Sequence, residues 1–521
     1  MVLGLGAGVG KNILIFCDGT GQAGGIAFDE NRTNIYKLYR ATRCGPDSCI
    51  DPKHQVAFYD PGLGSPADDA PIRWKIVRWV YSLASQATGL GLTENIIDAY
   101  SAIIRLYQEG DRIFLFGFSR GAYTVRCLGG VIALCGVPQT LPDGKPLPMD
   151  LRGSRKLASS AVRNVYQFCS SRPRGQSEYS DFMLETRQRI AKRFRAEHGS
   201  GDLGDEDKAN VYPYFIGVFD TVAALGRIAA TMGLAIGVAL AVALISFVLS
   251  ILQLGKDLNY IGWLLEHFTF ENIFSTFGGV LILWAIVSLG RNYVKFDFRV
   301  PGYGFWKSVR TFHFAHLKQR FTDYGLNPNI MYAKHAISID ENRKDFERVR
   351  WYPTGKRQID HRDENSNIYF EQVWFAGVHT DVGGGYSENE SRLSDITSKW
   401  MLAAASAIPN GIEHDPRVLC LFPDPAGPQH DEYKAGRWQF GSRNLPRDKE
   451  SGKVVATMHP TVYERFEAGP VVHYDERKIY RPDNLREHED FKHYYAGGNP
   501  PPQRLAIADS VERRWEDQQR A

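Results

Sequence analysis

Short apolar runs alternate along the chain with longer stretches of helical periodicity. The apolar runs lie at residues 13–17, 56–59, 113–116, 214–219, 336–339 and 373–378. The helical patterns lie at residues 34–42, 72–87, 92–109, 122–134 and 179–198. Strands that alternate with helices predict an α/β fold with a doubly wound, mostly parallel sheet. In such a sheet we expect the functional residues at the carboxyl ends of the strands.

A nucleophile elbow is predicted where the third apolar run ends. Residues 117–121 have the pattern G-x-S-x-G with Ser119 at its centre, and a helical pattern follows directly. Strand, tight turn and helix in this order are the context that an elbow serine requires. Gly117 and Gly121 let the strand and the helix approach each other around a strained serine. Ser119 is therefore the candidate nucleophile, and the alternative is a structural turn.

A serine nucleophile in this architecture requires an acid and then a histidine later in the chain. Asp220 ends the fourth apolar run and is the candidate acid, although Asp at such a junction also commonly caps a helix. Asp340 and Asp381 are the alternative acids. His379 follows the last apolar run and precedes three glycines, so a loop could carry it across the site; the alternative is a buried structural histidine. His335 is less well placed.

An oxyanion hole requires two backbone N–H groups that point at the reacting oxygen. The Arg120 N–H, directly after the nucleophile, is the predicted first donor. The glycine-containing loop after the first apolar run, with Gly19 and Thr20, is predicted to supply the second. Asp18 in that loop would oppose the role unless N–H groups or Arg120 bind its carboxylate, and its alternative role is to hold a cation with Asp381.

Two long uncharged segments interrupt this pattern at residues 228–254 and 272–290. Both are rich in Ala, Val, Leu and Ile, and each is long enough to cross a bilayer. We therefore predict a transmembrane or membrane-inserted helical hairpin, and the alternatives are a buried helical pair or an amphipathic lid. Basic residues flank the outer ends of the hairpin, which predicts that the catalytic part lies on the cytoplasmic side of a membrane.

The predicted domain organisation follows from these segments. It comprises a flexible Gly-rich leader (1–11), the two parts of an α/β-hydrolase domain (12–227 and 291–409), the hairpin between them (228–290) and a C-terminal extension (410–521). The 521 residues are 43% hydrophobic and 23% charged, which is typical of a globular chain, and the net charge of +3 does not indicate nucleic-acid binding. The first residues do not have the pattern of a secretory signal peptide. Because of the predicted hairpin, we expect a membrane-associated protein.

No metal ion or cofactor is expected from the sequence. The seven cysteines are scattered, and neither they nor the histidines and aspartates show the spacing of metal ligands.

Five ordered motifs resemble the α/β-hydrolase family of type VI secretion phospholipase effectors. They are CDGTG (17–21), YDPGLG (59–64), GFSRGAY (117–123), FDTV (219–222) and GVHTDVGGGY (377–386). The resemblance covers residues 12 to 405 in separate blocks and implies a Ser-Asp-His lipid esterase, with Ser119, Asp220 and His379 at the matching positions. The hairpin is a departure, because shorter family members have little sequence between the acid and the histidine.

The expected function is hydrolysis of a carboxylic ester of a membrane phospholipid, as in a phospholipase A. The partners implied are the membrane and its lipids, with an immunity or secretion partner protein if the chain is an antibacterial effector. The alternatives are a membrane-anchored, non-catalytic scaffold or binding protein with a hydrolase fold, and a soluble esterase with an apolar lid.

Overall fold

The structure is a computed structural model that describes residues 10–19, 31–62, 90–169, 177–222, 294–314, 324–343, 346–359, 361–432, 443–448, 452–497 and 500–505. Most of the Gly-rich leader, the predicted helix at 72–87 and the predicted hairpin at 228–290 lie outside these residues. Within the described ranges, no helix is both long enough and apolar enough to cross a membrane. The hairpin stays a prediction.

The strands of the described chain, in order, are β1 (Asn12–Cys17), β2 (Gln55–Asp60), β3 (Arg112–Phe118), β4 (Pro213–Phe219), β5 (Val294–Lys295), β6 (His313–Phe314), β7 (Gly325–Leu326), β8 (Tyr332–Ser338), β9 (Tyr352–Pro353), β10 (Phe370–Phe375), β11 (Val471–His473), β12 (Glu476–Lys478) and β13 (Gln503–Arg504). The α-helices are α1 (Asn34–Thr42), α2 (Leu90–Leu106), α3 (Arg120–Cys135), α4 (Leu151–Ser160), α5 (Glu178–His198), α6 (Phe305–Val309), α7 (His379–Gly383), α8 (Arg392–Ala407) and α9 (Pro460–Glu467).

A six-stranded sheet with the order β10-β8-β4-β3-β1-β2 forms the centre of the molecule. Every pairing in it is parallel. Its strands correspond to the six apolar runs, so the predicted α/β class with a parallel central sheet is confirmed. Because parallel strands end at the same edge, the residues after β1, β3, β4, β8 and β10 come together there.

Helices cover both faces of the sheet, because alternate residues of each strand point to opposite sides. Ile13 and Ile15 pack in one buried cluster with residues of α2, α3, α4 and α5. Leu14 and Phe16 pack in a second cluster with residues of α1 and α8. The rings of Phe16 and Phe116 stack at 5.0 Å on that second face.

The C-terminal segments pack against the β8–β10 side of the sheet. A third buried cluster joins Ile337 and Trp374 to residues such as Phe466. The extension also pairs with the sheet edge, since the Trp374 N–H donates to the Thr457 carbonyl at 2.9 Å and the His459 N–H donates to the Trp374 carbonyl at 2.9 Å. An edge strand leaves unpaired backbone groups, and here the extension satisfies some of those of β10.

Candidate active site

Ser119 occupies a sharp turn between β3 and α3. Its φ of 57° and ψ of −119° are strained for a residue with a side chain. The two flanking glycines permit the turn: a Cβ on Gly117 would lie 2.4 Å from the Gly121 carbonyl oxygen, and a Cβ on Gly121 would lie 2.0 Å from the Cys17 carbonyl oxygen. The strand–turn–helix geometry is therefore that of the elbow expected for Ser119.

Asp220 lies directly after β4 and is fully buried, with a φ of 33°. Its Oδ1 accepts a hydrogen bond from the Ser338 N–H at 3.1 Å. Its Oδ2 lies 2.5 Å from His379 Nδ1 and 2.7 Å from Arg443 Nη2. Three partners from three different segments thus bind one buried carboxylate.

His379 is the first residue of the short helix α7, where the sequence predicted a loop. The ring lies between Phe118 and Phe346, with centroid distances of 4.6 and 5.1 Å. The backbone N–H of His379 donates to Glu341 Oε2 at 3.1 Å. With Nδ1 directed at Asp220, the ring is fixed in position and the tautomer with a proton on Nδ1 is favoured.

The other ring nitrogen of His379 is available for chemistry. Nε2 is buried and has no hydrogen-bond partner within the described structure. In the tautomer favoured by Asp220, this nitrogen carries a lone pair that can accept a proton. A buried polar atom without a partner is costly, and a substrate or nucleophile hydroxyl would satisfy it.

The charges around Asp220 keep it ionised. Burial alone would raise its pKa, but the Arg443 guanidinium and the contact with His379 hold the pKa well below its usual range. An ionised acid stabilises the imidazolium that forms when the histidine accepts a proton. Arg348 also faces this carboxylate, and burial together with the nearby Arg443 lowers the pKa of Arg348 to about 10.

Arg443 was not among the predicted site residues. It lies in the C-terminal extension, is 6% exposed, and no motif surrounds it. The charged character of the extension was visible in the sequence, but which of its basic residues reaches Asp220 depends on the packing of the extension.

The two alternative acids contact other groups. Asp340 Oδ2 accepts from the Gly377 N–H at 2.6 Å and from the Tyr480 hydroxyl at 2.8 Å, and burial raises the pKa of Asp340 to about 6. Asp381 Oδ1 lies 2.8 Å from His430 Nδ1. Within the described residues, neither carboxylate is hydrogen-bonded to the His379 ring, whereas Asp220 is.

The less favoured histidine, His335, is fully buried inside β8. Its Nε2 accepts from the Thr221 N–H at 3.3 Å, and burial lowers its pKa well below the usual range. This places His335 next to the turn that holds Asp220, in a neutral structural role.

The predicted oxyanion loop is only partly described, because Thr20 lies outside the described residues. Gly19 lies beside the nucleophile: a Cβ on it would be 3.5 Å from Ser119 Cβ. However, the Gly19 N–H donates to Asp18 Oδ1 at 2.7 Å. This arrangement does not support Gly19 as the free second donor. Arg120 begins α3, so its backbone N–H is at a helix N-terminus, where N–H groups have no intrahelical partner.

Asp18 is buried and bound by neutral donors. Its Oδ2 accepts from the Thr33 hydroxyl at 2.6 Å and from the Tyr59 hydroxyl at 2.8 Å. Burial raises the pKa of Asp18 to about 7, even though its hydrogen bonds favour the ionised form. The sequence predicts that nearby N–H groups or Arg120 bind the Asp18 carboxylate. Within the described residues the Gly19 N–H binds it, and Arg120 forms no hydrogen bond with it.

The alternative role of Asp18 and Asp381, to hold a cation together, is not supported by a cluster of metal-ligating side chains in the described part of the chain. Among the described residues, no group of three or more His, Cys, Asp or Glu side chains is placed to hold a metal ion. Asp381 is paired with His430, as described above.

These features define a parallel α/β protein in which a strained serine turn and a buried Asp–His pair lie at the carboxyl edge of the sheet. The chain belongs to the family described as the catalytic domain of Tle1-like phospholipase effectors of the type VI secretion system, whose model matches residues 11–246 and 290–404. The interruption of this match falls within the predicted hairpin segment.

Two further similarities are more limited. A protein of Saccharomyces cerevisiae, described as uncharacterized protein YEL023C, is 35% identical over 131 residues, which is 25% of this chain and 18% of that protein. A crystal structure of an uncharacterized protein from Pseudomonas aeruginosa aligns over 80% of this chain and 48% of its own, with 16% identity and a TM-score of 0.30. The chain thus spans less than half of the length of each of these two proteins.

Proposed function

We propose that this chain is a serine hydrolase that cleaves a carboxylic ester bond of membrane phospholipids. Membership of the phospholipase effector family supports the substrate class. The observation that carries the mechanism is the buried Asp220–His379 contact of 2.5 Å beside the strained Ser119 turn. An α/β-hydrolase fold, with the predicted hairpin inserted between the acid and the histidine, is part of this proposal.

In the proposed mechanism, the Ser119 hydroxyl attacks the acyl carbonyl carbon of the lipid. His379 Nε2 accepts the hydroxyl proton and later returns it to the leaving alcohol. Asp220 orients the ring through Nδ1 and stabilises its charged form. The resulting acyl-enzyme is hydrolysed by water, which His379 deprotonates in turn.

The developing oxyanion requires donors in this scheme. The Arg120 N–H fits the position of the first donor, because it directly follows the nucleophile at a helix start. The second donor is proposed to come from the loop that follows Gly19, whose own N–H is bound to Asp18.

The membrane setting is also a proposal. The hairpin at 228–290 would hold the catalytic part at the cytoplasmic face of a bilayer, close to its water-insoluble substrate. In a secretion setting the proposed partner is an immunity protein. Deletion of 228–290 should release the protein from membranes in a carbonate wash and spare hydrolysis of a soluble short-chain ester. Continued sedimentation of the deletion variant after the carbonate wash would contradict the membrane role of the hairpin.

Lipid mass spectrometry and active-site labelling test the chemistry together. The purified protein should release free fatty acid and lysophospholipid from phospholipid vesicles, and a fluorophosphonate probe should label Ser119. Ser119→Ala should lose both labelling and about 10⁴-fold or more of the turnover. Ser160→Ala, a matched change at the end of α4, should retain both. Full activity of Ser119→Ala, or labelling at another serine, would reject the assignment.

A further inference from the structure

A group of exposed aromatic side chains lies on the segment 294–314. The members of this aromatic surface, with their exposed fractions, are Trp306 (79%), Phe305 (65%), Phe298 (52%), Phe312 (51%) and Phe296 (41%). Neighbouring rings contact each other, with centroid distances of 4.2 Å between Phe296 and Phe298 and 5.3 Å between Phe305 and Trp306. Single exposed apolar residues are ordinary, but a contiguous aromatic group marks an interaction site.

The backbone beneath the aromatic surface is anchored to the core. Val300 and Thr311 are buried, and the Tyr303 hydroxyl lies 2.9 Å from the Thr186 hydroxyl of α5. The Tyr303 ring also stacks on Phe182 at 5.7 Å. Because the base of the segment is packed, the outward direction of the aromatic rings is a feature of the fold.

The charges on this segment have one predominant sign. Its exposed ionisable side chains are Arg299, Lys307 and Arg310. Its one acidic residue, Asp297, is mostly buried and forms an ion pair with Arg193 at 2.5 Å. The exposed part of the segment therefore combines aromatic rings with cations and has no exposed carboxylate.

We propose that the aromatic surface docks into the headgroup region of an anionic phospholipid bilayer. Trp and Phe favour the membrane–water interface, and nearby Lys and Arg attract anionic headgroups. The same three cations would repel each other across a symmetric contact between two copies of the chain, which disfavours self-association. In the sequence, the surface also follows shortly after the uncharged run that ends at residue 290.

The choice of phospholipid as the partner rests on the proposed function, but the docking itself does not involve Ser119. Full-length Ser119→Ala protein can therefore be used for every binding experiment, so that the lipid is not consumed. A membrane-binding protein without esterase activity would pass these experiments and fail the labelling test described above, so the two proposals fail separately.

Hydroxyl-radical footprinting with mass spectrometry tests the surface without altering it. Without vesicles, Phe305 should be oxidised about as fast as Phe422, which is 60% exposed on the C-terminal extension. With phosphatidylglycerol-containing vesicles, oxidation of Phe305 and Trp306 should slow at least about threefold while that of Phe422 is unchanged. Protection before vesicles are added would mean that another segment or a second copy covers the surface, and would overturn the proposal.

Substitutions then separate the aromatic and basic contributions. A triple variant of the most exposed rings, Phe298→Ser, Phe305→Ser and Trp306→Ser, should weaken partitioning into anionic vesicles about tenfold or more. The matched control replaces three exposed apolar residues elsewhere, Met149→Ser, Leu151→Ser and Leu203→Ser, and should partition normally.

A charge variant tests the choice of an anionic bilayer. Arg299→Gln, Lys307→Gln and Arg310→Gln together should abolish most of the preference for phosphatidylglycerol over phosphatidylcholine vesicles, as should high salt. Circular dichroism verifies the fold of each variant. Equal partitioning of the aromatic variant, or vesicle binding without footprint protection, would overturn the proposal, and so would failure of the full chain to sediment with vesicles.

Discussion

Arg443 belongs to the C-terminal extension and contacts Asp220, the candidate catalytic acid. We expect the substitution Arg443→Met to change the pH dependence of activity. Arg443 Nη2 and His379 Nδ1 both contact Asp220 Oδ2, at 2.7 and 2.5 Å. Met removes the positive charge and retains much of the apolar stem. The Arg443 guanidinium helps to hold the pKa of Asp220 well below its usual range, so its removal should raise the pKa of this catalytic acid. The acidic limb of the kcat/KM profile should therefore move to higher pH.

The size of this shift follows from the geometry. Arg443 Nη2 lies 2.7 Å from Asp220 Oδ2, so the centres of the two charges are about 4 Å apart. With an effective dielectric constant of about 20, two unit charges at that separation interact by about 4 kcal/mol, which corresponds to about three pH units. Relaxation and water entry reduce this, and we expect a shift of about one unit. Glu341 and His335 also lie near this cluster and are unchanged in the variant.

The substitution should also cost stability. Removing one partner of a buried ion pair costs about 3–5 kcal/mol when the remaining charge is uncompensated. Asp220 keeps its contacts with His379 and the Ser338 N–H, so we expect a loss of about 2 kcal/mol in the free energy of unfolding, measured with urea.

The assay is hydrolysis of a soluble short-chain ester from about pH 3 to about pH 9, and it distinguishes an electrostatic role of Arg443 from a purely structural one. Arg443→Lys should restore much of the wild-type profile, because it returns the charge. Arg447→Met is the matched control: Arg447 lies on the same segment, but its ion pair with Glu487 at 2.6 Å is exposed. If Arg443→Met lowers activity equally at every pH, the electrostatic argument is wrong and the residue is only structural.

Three further changes test other parts of the structure. Gly383→Ala would place a Cβ 1.9 Å from Phe118 Cε2, so activity should fall about tenfold or more, while Gly469→Ala, where a Cβ would meet no atom of the described chain within 4 Å, should be neutral. Burial raises the pKa of Asp18 to about 7, so the free energy of unfolding should fall as pH rises from about 4 to about 7 and Asp18 ionises. Asp18→Asn should reduce this fall by about 1–3 kcal/mol when the free energy of unfolding is measured with urea at each pH. Phe466→Ala should cost about 3–5 kcal/mol in the same assay, and a much smaller loss would show that the extension unfolds separately.

The central sheet could be predicted because its strands are buried on both faces and therefore form nearly continuous apolar runs. Strand β8 is the exception, because its apolar run is shorter than the strand itself. The run at 336–339 marks only the end of β8, which begins at Tyr332, because Lys334 and His335 interrupt the apolar pattern. Lys334 is nevertheless buried, and its Nζ contacts Glu371 Oε2 at 2.8 Å on the neighbouring strand. An ion pair between strands that are distant in sequence is not visible in a local pattern.

The candidate site could be predicted as far as local backbone geometry determines it. Ser119 and Asp220 follow strands directly, so the sheet alone brings them to one edge. The predicted role of Gly19 as an oxyanion donor requires a free backbone N–H. In the structure this N–H donates a hydrogen bond to the side chain of the preceding residue, Asp18. Arg443 was beyond prediction because its contact spans 223 residues of sequence and no motif accompanies it.

The extension is therefore part of the candidate catalytic unit, although the family match ends at residue 404. It contributes the cation that holds Asp220 ionised, and it pairs with both the N–H and the carbonyl of Trp374 at the sheet edge. A chain cut after the family match would expose that edge and leave a fully buried carboxylate without one of its charged partners. A boundary drawn from sequence similarity records which residues recur among relatives. The extent of a folding unit depends on which buried groups stabilise each other. In this protein the Arg443 guanidinium compensates the charge of the buried Asp220 carboxylate.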